Sequence, residues 1–180
     1  FEIPMGDFEF NTLSNGLIND TFLVSSKGRE KYILQRINTR VFSNVEALVN
    51  NMDLVLPELQ GKGYEKINLS KTKEGGAVYR SAGGEVWRLM NFIAGSQVFN
   101  TTRIPEVARE AGRIIGLFHH LLLGFNASLL KETLPDFHNL NFRFRQFGEA
   151  LKKAKPESIE KAKKAIDFVY ENIDGLLGIG

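Results

Sequence analysis

The spacing of apolar residues changes along this chain, and that change limits the folds open to it. Up to Phe92 the texture is mostly that of strands. Phe8 and Phe10 alternate with acidic residues, and the β-rich runs Asn19 to Ser25 and Lys31 to Asn38 are joined by Ser26-Lys27-Gly28-Arg29, a hairpin signal. One helix interrupts them: from Asn44 to Leu59 the residues Val45, Leu48, Val49, Met52, Val55, Leu56 and Leu59 share a helical face, and Gly61 and Gly63 end it. Glu65 to Lys73, Ala77 to Ser81 and Glu85 to Phe92 then read as short strands, separated by Gly75-Gly76 and Gly83-Gly84.

After Gly95 the pattern becomes helical. Pro105 opens a stretch in which Val107, Ala108, Ala111, Ile114, Ile115, Phe118, Leu121 and Leu122 recur at period 3.6 up to Gly124, predicting a largely buried helix. Helices are also predicted from Asn141 to Lys153 and from Pro156 to Ile173, the last with Ile159, Ala162, Ile166, Val169 and Ile173 inward. The expected fold is α+β: a small antiparallel-sheet lobe with one helix, residues 1–93, followed by a helical lobe, residues 94–180, in the layout of the protein-kinase-like fold. Such an order occurs in many folds, so layout alone does not decide function.

Composition excludes several functions. Hydrophobic residues at 43% and charged residues at 24% are ordinary for a folded globular chain. A formal charge of +2, with Lys152 to Lys164 interleaved by Glu157 and Glu160, gives no nucleic-acid groove. No apolar run approaches the roughly eighteen residues of a membrane span, so no membrane partner is expected. With no cysteine there is no disulfide framework, thiolate metal site or cysteine nucleophile, and a cytoplasmic location is the default.

Two segments carry possible chemistry. Asn15-Gly16-Leu17-Ile18-Asn19-Asp20-Thr21 lies between strands of the first hairpin, where a glycine-containing loop can lay backbone N–H groups over phosphates; it also reads as an ordinary hairpin turn. The following strand, Tyr32-Ile33-Leu34-Gln35-Arg36-Ile37-Asn38, ends in a cation. Kinase-type phosphoryl transfer uses a positive side chain there to hold the non-transferred phosphates, and Arg36 offers a planar fork for that role, with Gln35 on the opposite face. Arg36 is equally compatible with a plain surface charge.

Taken with Val41-Phe42, Leu48-Val49-Asn50-Asn51, Trp87-Arg88-Leu89-Met90-Asn91-Phe92-Ile93 and Glu132-Thr133-Leu134-Pro135-Asp136-Phe137-His138-Asn139, these segments resemble the N-acetylhexosamine 1-kinase group of the aminoglycoside phosphotransferase and choline kinase-like family over most of the chain. The resemblance implies an ATP site between the lobes and a sugar hydroxyl as phosphate acceptor. The backbone of Met90, Asn91 and Phe92 would hydrogen-bond adenine, and Leu17, Leu34 and Leu89 would be apolar walls. A polar residue of the first helix would orient Arg36; Glu46, Asn51 and Asp53 all flank its apolar stripe, Glu46 favoured by charge and Asn51 by the family pattern. Asp136 and His138 either shape the helical lobe or line the acceptor pocket. Arg143 and Arg145 either bind an anionic acceptor or cover a helix surface.

The departures from the family pattern are equally informative. The family's His-x-Asp loop, its Asn five residues on and its magnesium-binding Asp are absent: His119-His120 is followed by Leu121, and the pair reads as one core and one exposed histidine. No residue here is therefore assigned as catalytic or as a metal ligand. With ATP and Mg as the cofactors, the magnesium ligands are expected further along a longer protein. The start at Phe1 is read as trimmed, and this portion alone is expected to be inactive and to self-associate through exposed helical-lobe surface. Relatives of the group have been labelled mucin-desulfation proteins or sulfatases, but the Cys/Ser-x-Pro-x-Arg motif of the main sulfatase type is missing. A non-catalytic nucleotide-binding or interaction module is the remaining alternative.

Overall fold

The computed structural model describes residues 1–14, 16–99 and 101–177. The chain divides into two compact units, Phe1–Thr133 and Leu134–Gly180.

The first unit is built on a five-stranded antiparallel sheet in the order β1-β2-β3-β5-β4. The strands are β1 (Glu9–Leu13), β2 (Asp20–Ser26), β3 (Arg29–Ile37), β4 (Tyr79–Arg80) and β5 (Val86–Asn91). The β2–β3 turn falls where the hairpin signal predicts. Lys27 and Gly28 both have positive φ, 52° and 69°, the backbone a two-residue turn needs to match the twist of its strands.

Helix α1 (Val45–Val55) starts at Asn44, whose side-chain oxygen accepts the Ala47 N–H at 2.9 Å. It covers one face of the sheet. Val45 joins Ile37 and Val86 in a buried cluster flanked by Phe42, Leu48, Val49 and Val78, so β3 and β5 are pinned beneath α1 by apolar burial.

Two expectations about strands are corrected. Residues 65–73 form no strand: the segment follows β5 through one bridge, Leu69 to Met90, and the Asn91 side chain takes the Asn68 N–H at 2.5 Å where a ladder would use a main-chain acceptor. Only Tyr79–Arg80 of the run 77–81 pairs, because Gly76 and Gly83-Gly84 turn the chain away on either side.

Helix α2 (Pro105–Leu121) begins at its proline as expected, but it is not buried; none of its residues is, and Ile115 is 60% exposed. Phe118 meets Tyr64, Arg113 donates to the Gly63 carbonyl at 3.2 Å, and Leu121 lies against Gly61. Both His119 and His120 are exposed, which corrects the reading of one as a core histidine; they sit in the final turn, His119 edge-on against Phe118.

The second unit contains α3 (Leu140–Lys153), capped by Asn139, and α4 (Pro156–Leu177). Phe144, Phe147 and Tyr170 cluster between the two helices. Of the residues expected inward on α4, Ile173 is buried and Ile166 and Val169 are half-buried, while Ile159 and Ala162 are exposed. A single neighbouring helix cannot cover an apolar stripe more than 100° wide. No helix among the described residues is long and apolar enough to cross a membrane.

Candidate functional site

The period of two along β3 sorts the candidate residues onto two faces. Leu34 and Arg36 share one face with Phe22, Trp87 and Leu89; Gln35 and Ile37 share the other with Thr21, Val86 and Arg88, under α1.

On the open face, Arg36 is held by two carboxylates. Its Nε and Nη2 donate to Asp20 Oδ2 at 2.7 and 2.5 Å, and its Nη1 donates to Glu85 Oε1 at 2.8 Å. The guanidinium also lies over Trp87, 5.9 Å from the ring centroid. Bonding to Asp20, and then to Glu85, strengthens its hold on its proton, and the same bond holds the Glu85 carboxyl below the usual carboxylate range, with help from Ser81. A polar pocket of about 490 Å³ adjoins Arg36, bordered by Asp20, Asn38, Arg40, Gly83 and Gly84.

Helix α1 supplies none of these partners. Glu46 pairs with Arg80, Asp53 lies 3.5 Å from Lys71, and Asn51 exchanges two hydrogen bonds with the main chain of Lys131. The expectation that one of the three orients Arg36 therefore gives way to Asp20 and Glu85, because α1 covers the opposite face.

The loop before β2 is latched to the end of β3. Asn19 Oδ1 accepts the Asn38 N–H at 2.9 Å, and Asn38 Nδ2 donates to the Ile18 carbonyl at 3.2 Å. Gly16 sits where an added Cβ would lie 3.4 Å from the Asn19 carbonyl and 3.8 Å from Thr21 Oγ1. Leu17 is fully exposed, and Asn15 lies outside the described residues.

Under α1 lies a polar relay that the sequence reading passed over. Gln35 Nε2 donates to Thr21 Oγ1 at 3.0 Å, and Gln35 Oε1 accepts from Arg88 Nε and Nη2 at 3.0 and 2.7 Å. Arg88 Nη1 reaches Met52 Sδ at 3.0 Å. Burial alone pushes this guanidinium below its ordinary value, and no carboxylate among the described residues pairs with it. The period of two along β5 puts Arg88 on one face with Val86, but only the β3–β5 register sets it opposite Gln35.

Leu34 and Leu89 line an apolar pocket of about 310 Å³ on the open face, beside Trp87, Phe1 and Ile3. At the end of β5, Met90 is buried, and the N–H groups of Asn91 and Phe92 already donate to Asn68 and Lys31 carbonyls at 3.2 and 3.1 Å. In the second unit Asp136, at φ 58°, accepts from Asn139 Nδ2 at 2.7 Å in the turn before α3. His138 stacks edge-on against Phe137, and Arg143 lies over Phe137 and Phe142, 5.6 and 5.5 Å from their centroids. Arg145 lies over Phe142 at 5.8 Å. Among the described residues no group of three His, Cys, Asp or Glu comes together to hold a metal.

An antiparallel sheet lobe carrying one helix, followed by helices, with the glycine-containing β1–β2 connection latched to the end of β3, is an α+β architecture of the protein-kinase-like class. Residues 9–177 match the family model described as the phosphotransferase enzyme family, APH, and the chain belongs to that family. Its activity class is accordingly that of a phosphotransferase.

Proposed function

We propose that this chain binds ATP and serves transfer of its γ-phosphate to a hydroxyl of a small sugar, an N-acetylhexosamine in the first instance, in the cytoplasm. The observation that carries the reading is the Gly16 loop, latched by Asn19 and Asn38 to the end of β3, where Arg36 projects from one face of the sheet and Arg88 of the neighbouring β5 from the other. Oriented N–H groups and guanidinium forks are the donors that phosphate oxygens require. Family membership supports the reaction class, and the likeness of the Trp87 to Ile93 and Glu132 to Asn139 segments to N-acetylhexosamine 1-kinases supports the acceptor.

In this reading residues 1–93 hold the nucleotide, and residues 94–180 begin the part that meets the acceptor through Asp136, His138 and Arg143. The acceptor oxygen forms the new bond to the γ-phosphorus, while the β–γ bridging bond breaks and its electron pair leaves on ADP. The hydroxyl proton goes to a general base, for which the resemblance implies an aspartate of a His-x-Asp segment, absent from these 180 residues. Magnesium, where bound, neutralises charge on the phosphates; no residue described here is assigned to it. The chain's own contribution is positioning and charge compensation, without a covalent intermediate.

Two measurements test this. Calorimetric titration of this chain with AMP-PNP, a slowly hydrolysed ATP analogue, asks whether nucleotide binds, and ADP release by a longer protein that carries the His-x-Asp segment is followed over a panel of hexosamines and other alcohols. Binding with no ADP release leaves a nucleotide-binding module, and the absence of both rejects the reading. Sulfate release from a sulfated hexosamine would instead vindicate the sulfatase label.

A further inference from the structure

We propose that Arg88, oriented by Gln35, is the cation that holds the phosphates of the bound nucleotide, in preference to Arg36. The inference deepens the function proposed above and rests on it.

Charge balance gives the first reason. Arg36 is already matched by Asp20 and Glu85, so an anion approaching its guanidinium meets two carboxylates at the same time. Among the described residues Arg88 faces only neutral acceptors, the Gln35 amide oxygen and the Met52 sulfur. A cation drawn out of water without a counter-charge is costly, and an anionic ligand removes that cost. Gln35 and Met52 engage three of its five N–H donors. Donors therefore remain for an incoming oxygen.

The loop gives the second. Gly16 lies beside Thr21 Oγ1, which accepts from Gln35 Nε2 and donates to the Asn19 carbonyl at 3.5 Å. The relay Asn19, Thr21, Gln35, Arg88 thus links the glycine-containing loop to the face that carries Arg88. A phosphate chain on the Gly16 and Thr21 side of that loop meets Arg88, whereas Arg36 projects from the other face, where Ile18 and Asp20 border its pocket. Gln35 fixes the guanidinium plane through two bonds to one oxygen, which makes it a positioning residue.

The test compares AMP-PNP with adenosine by calorimetry on the whole chain, so that the affinity gained from the phosphates is read separately from that of the base. Arg88→Met is expected to lower AMP-PNP affinity at least tenfold, toward that of adenosine, and to leave adenosine binding unchanged. Gln35→Glu supplies Arg88 with a carboxylate; it should keep or raise the Tm while weakening AMP-PNP to a similar degree, which separates a lost phosphate site from a lost fold. Arg88→Lys should retain part of the gain, and Arg36→Ala should lose less than Arg88→Met. The proposal is overturned if Arg88→Met and Gln35→Glu bind AMP-PNP as the wild type does, or if Arg36→Ala alone removes the gain. A wild-type chain that binds neither ligand rejects the nucleotide reading itself.

Discussion

The Asn51 side chain and the main chain of Lys131 are joined in both directions: Nδ2 donates to the Lys131 carbonyl at 2.7 Å, and Oδ1 accepts its N–H at 2.9 Å. One amide on α1 thereby closes a connection across eighty positions of chain. Each such bond contributes about 1 kcal/mol net, so Asn51→Ala should lower unfolding stability by about 1–2 kcal/mol. Urea titration measures the loss, and the Lys131 amide should exchange faster with deuterium. An unchanged midpoint would show that solvent replaces both bonds at no cost.

The Glu85 carboxyl is held below its usual range by its bond from Arg36, with Ser81 second. Its folded pKa is depressed, so its stabilising contribution is present above the unfolded value and fades as pH falls through the folded one. Glu85→Gln should therefore melt below the wild type above about pH 5, and the two melting curves should converge toward more acid pH. A Tm difference constant with pH would assign the effect to packing.

At the β2–β3 turn Lys27 is a non-glycine residue at φ 52°. Asparagine tolerates that conformation better, so Lys27→Asn should stabilise the protein by roughly 0.5–1 kcal/mol, while Gly28→Ala, at φ 69°, should cost about 1 kcal/mol. Thermal denaturation of the two variants reads both signs.

Trp87 is the single tryptophan, and Phe1 and Ile3 line the same apolar pocket. Removing residues 1–3 should shift its emission to the red and cost about 1–3 kcal/mol. Emission that stays in place would mean the N-terminal segment does not shield the indole in solution.

Local signals were legible: the hairpin signal at Ser26-Lys27-Gly28-Arg29, the apolar stripe that follows Asn44 and the proline opening α2 each act within a few residues, and each element formed there. Signals that depend on distant partners were not. Arg36 is answered by Glu85, forty-nine positions away, so reading along the first helix looked for its counter-charge on the wrong face. Arg88 was passed over for the same reason, since its meaning depends on lying opposite Gln35 across the β3–β5 pairing. A 3.6 period predicts an apolar stripe on α2 but not whether anything packs against all of it. The residues proposed for the acceptor, Asp136, His138 and Arg143, were readable only through resemblance, because a turn and two stacked rings look the same in sequence whether they bind or brace.

Adjacent side chains on β3 serve opposite environments, and this sets what the gene can tolerate. Inserting or deleting one codon between Tyr32 and Gln35 would drive the Arg36 guanidinium toward Val45, turn Ile37 to the open face and take Gln35 away from Arg88. Length variation among relatives should therefore collect in the bends around the sheet and spare this strand.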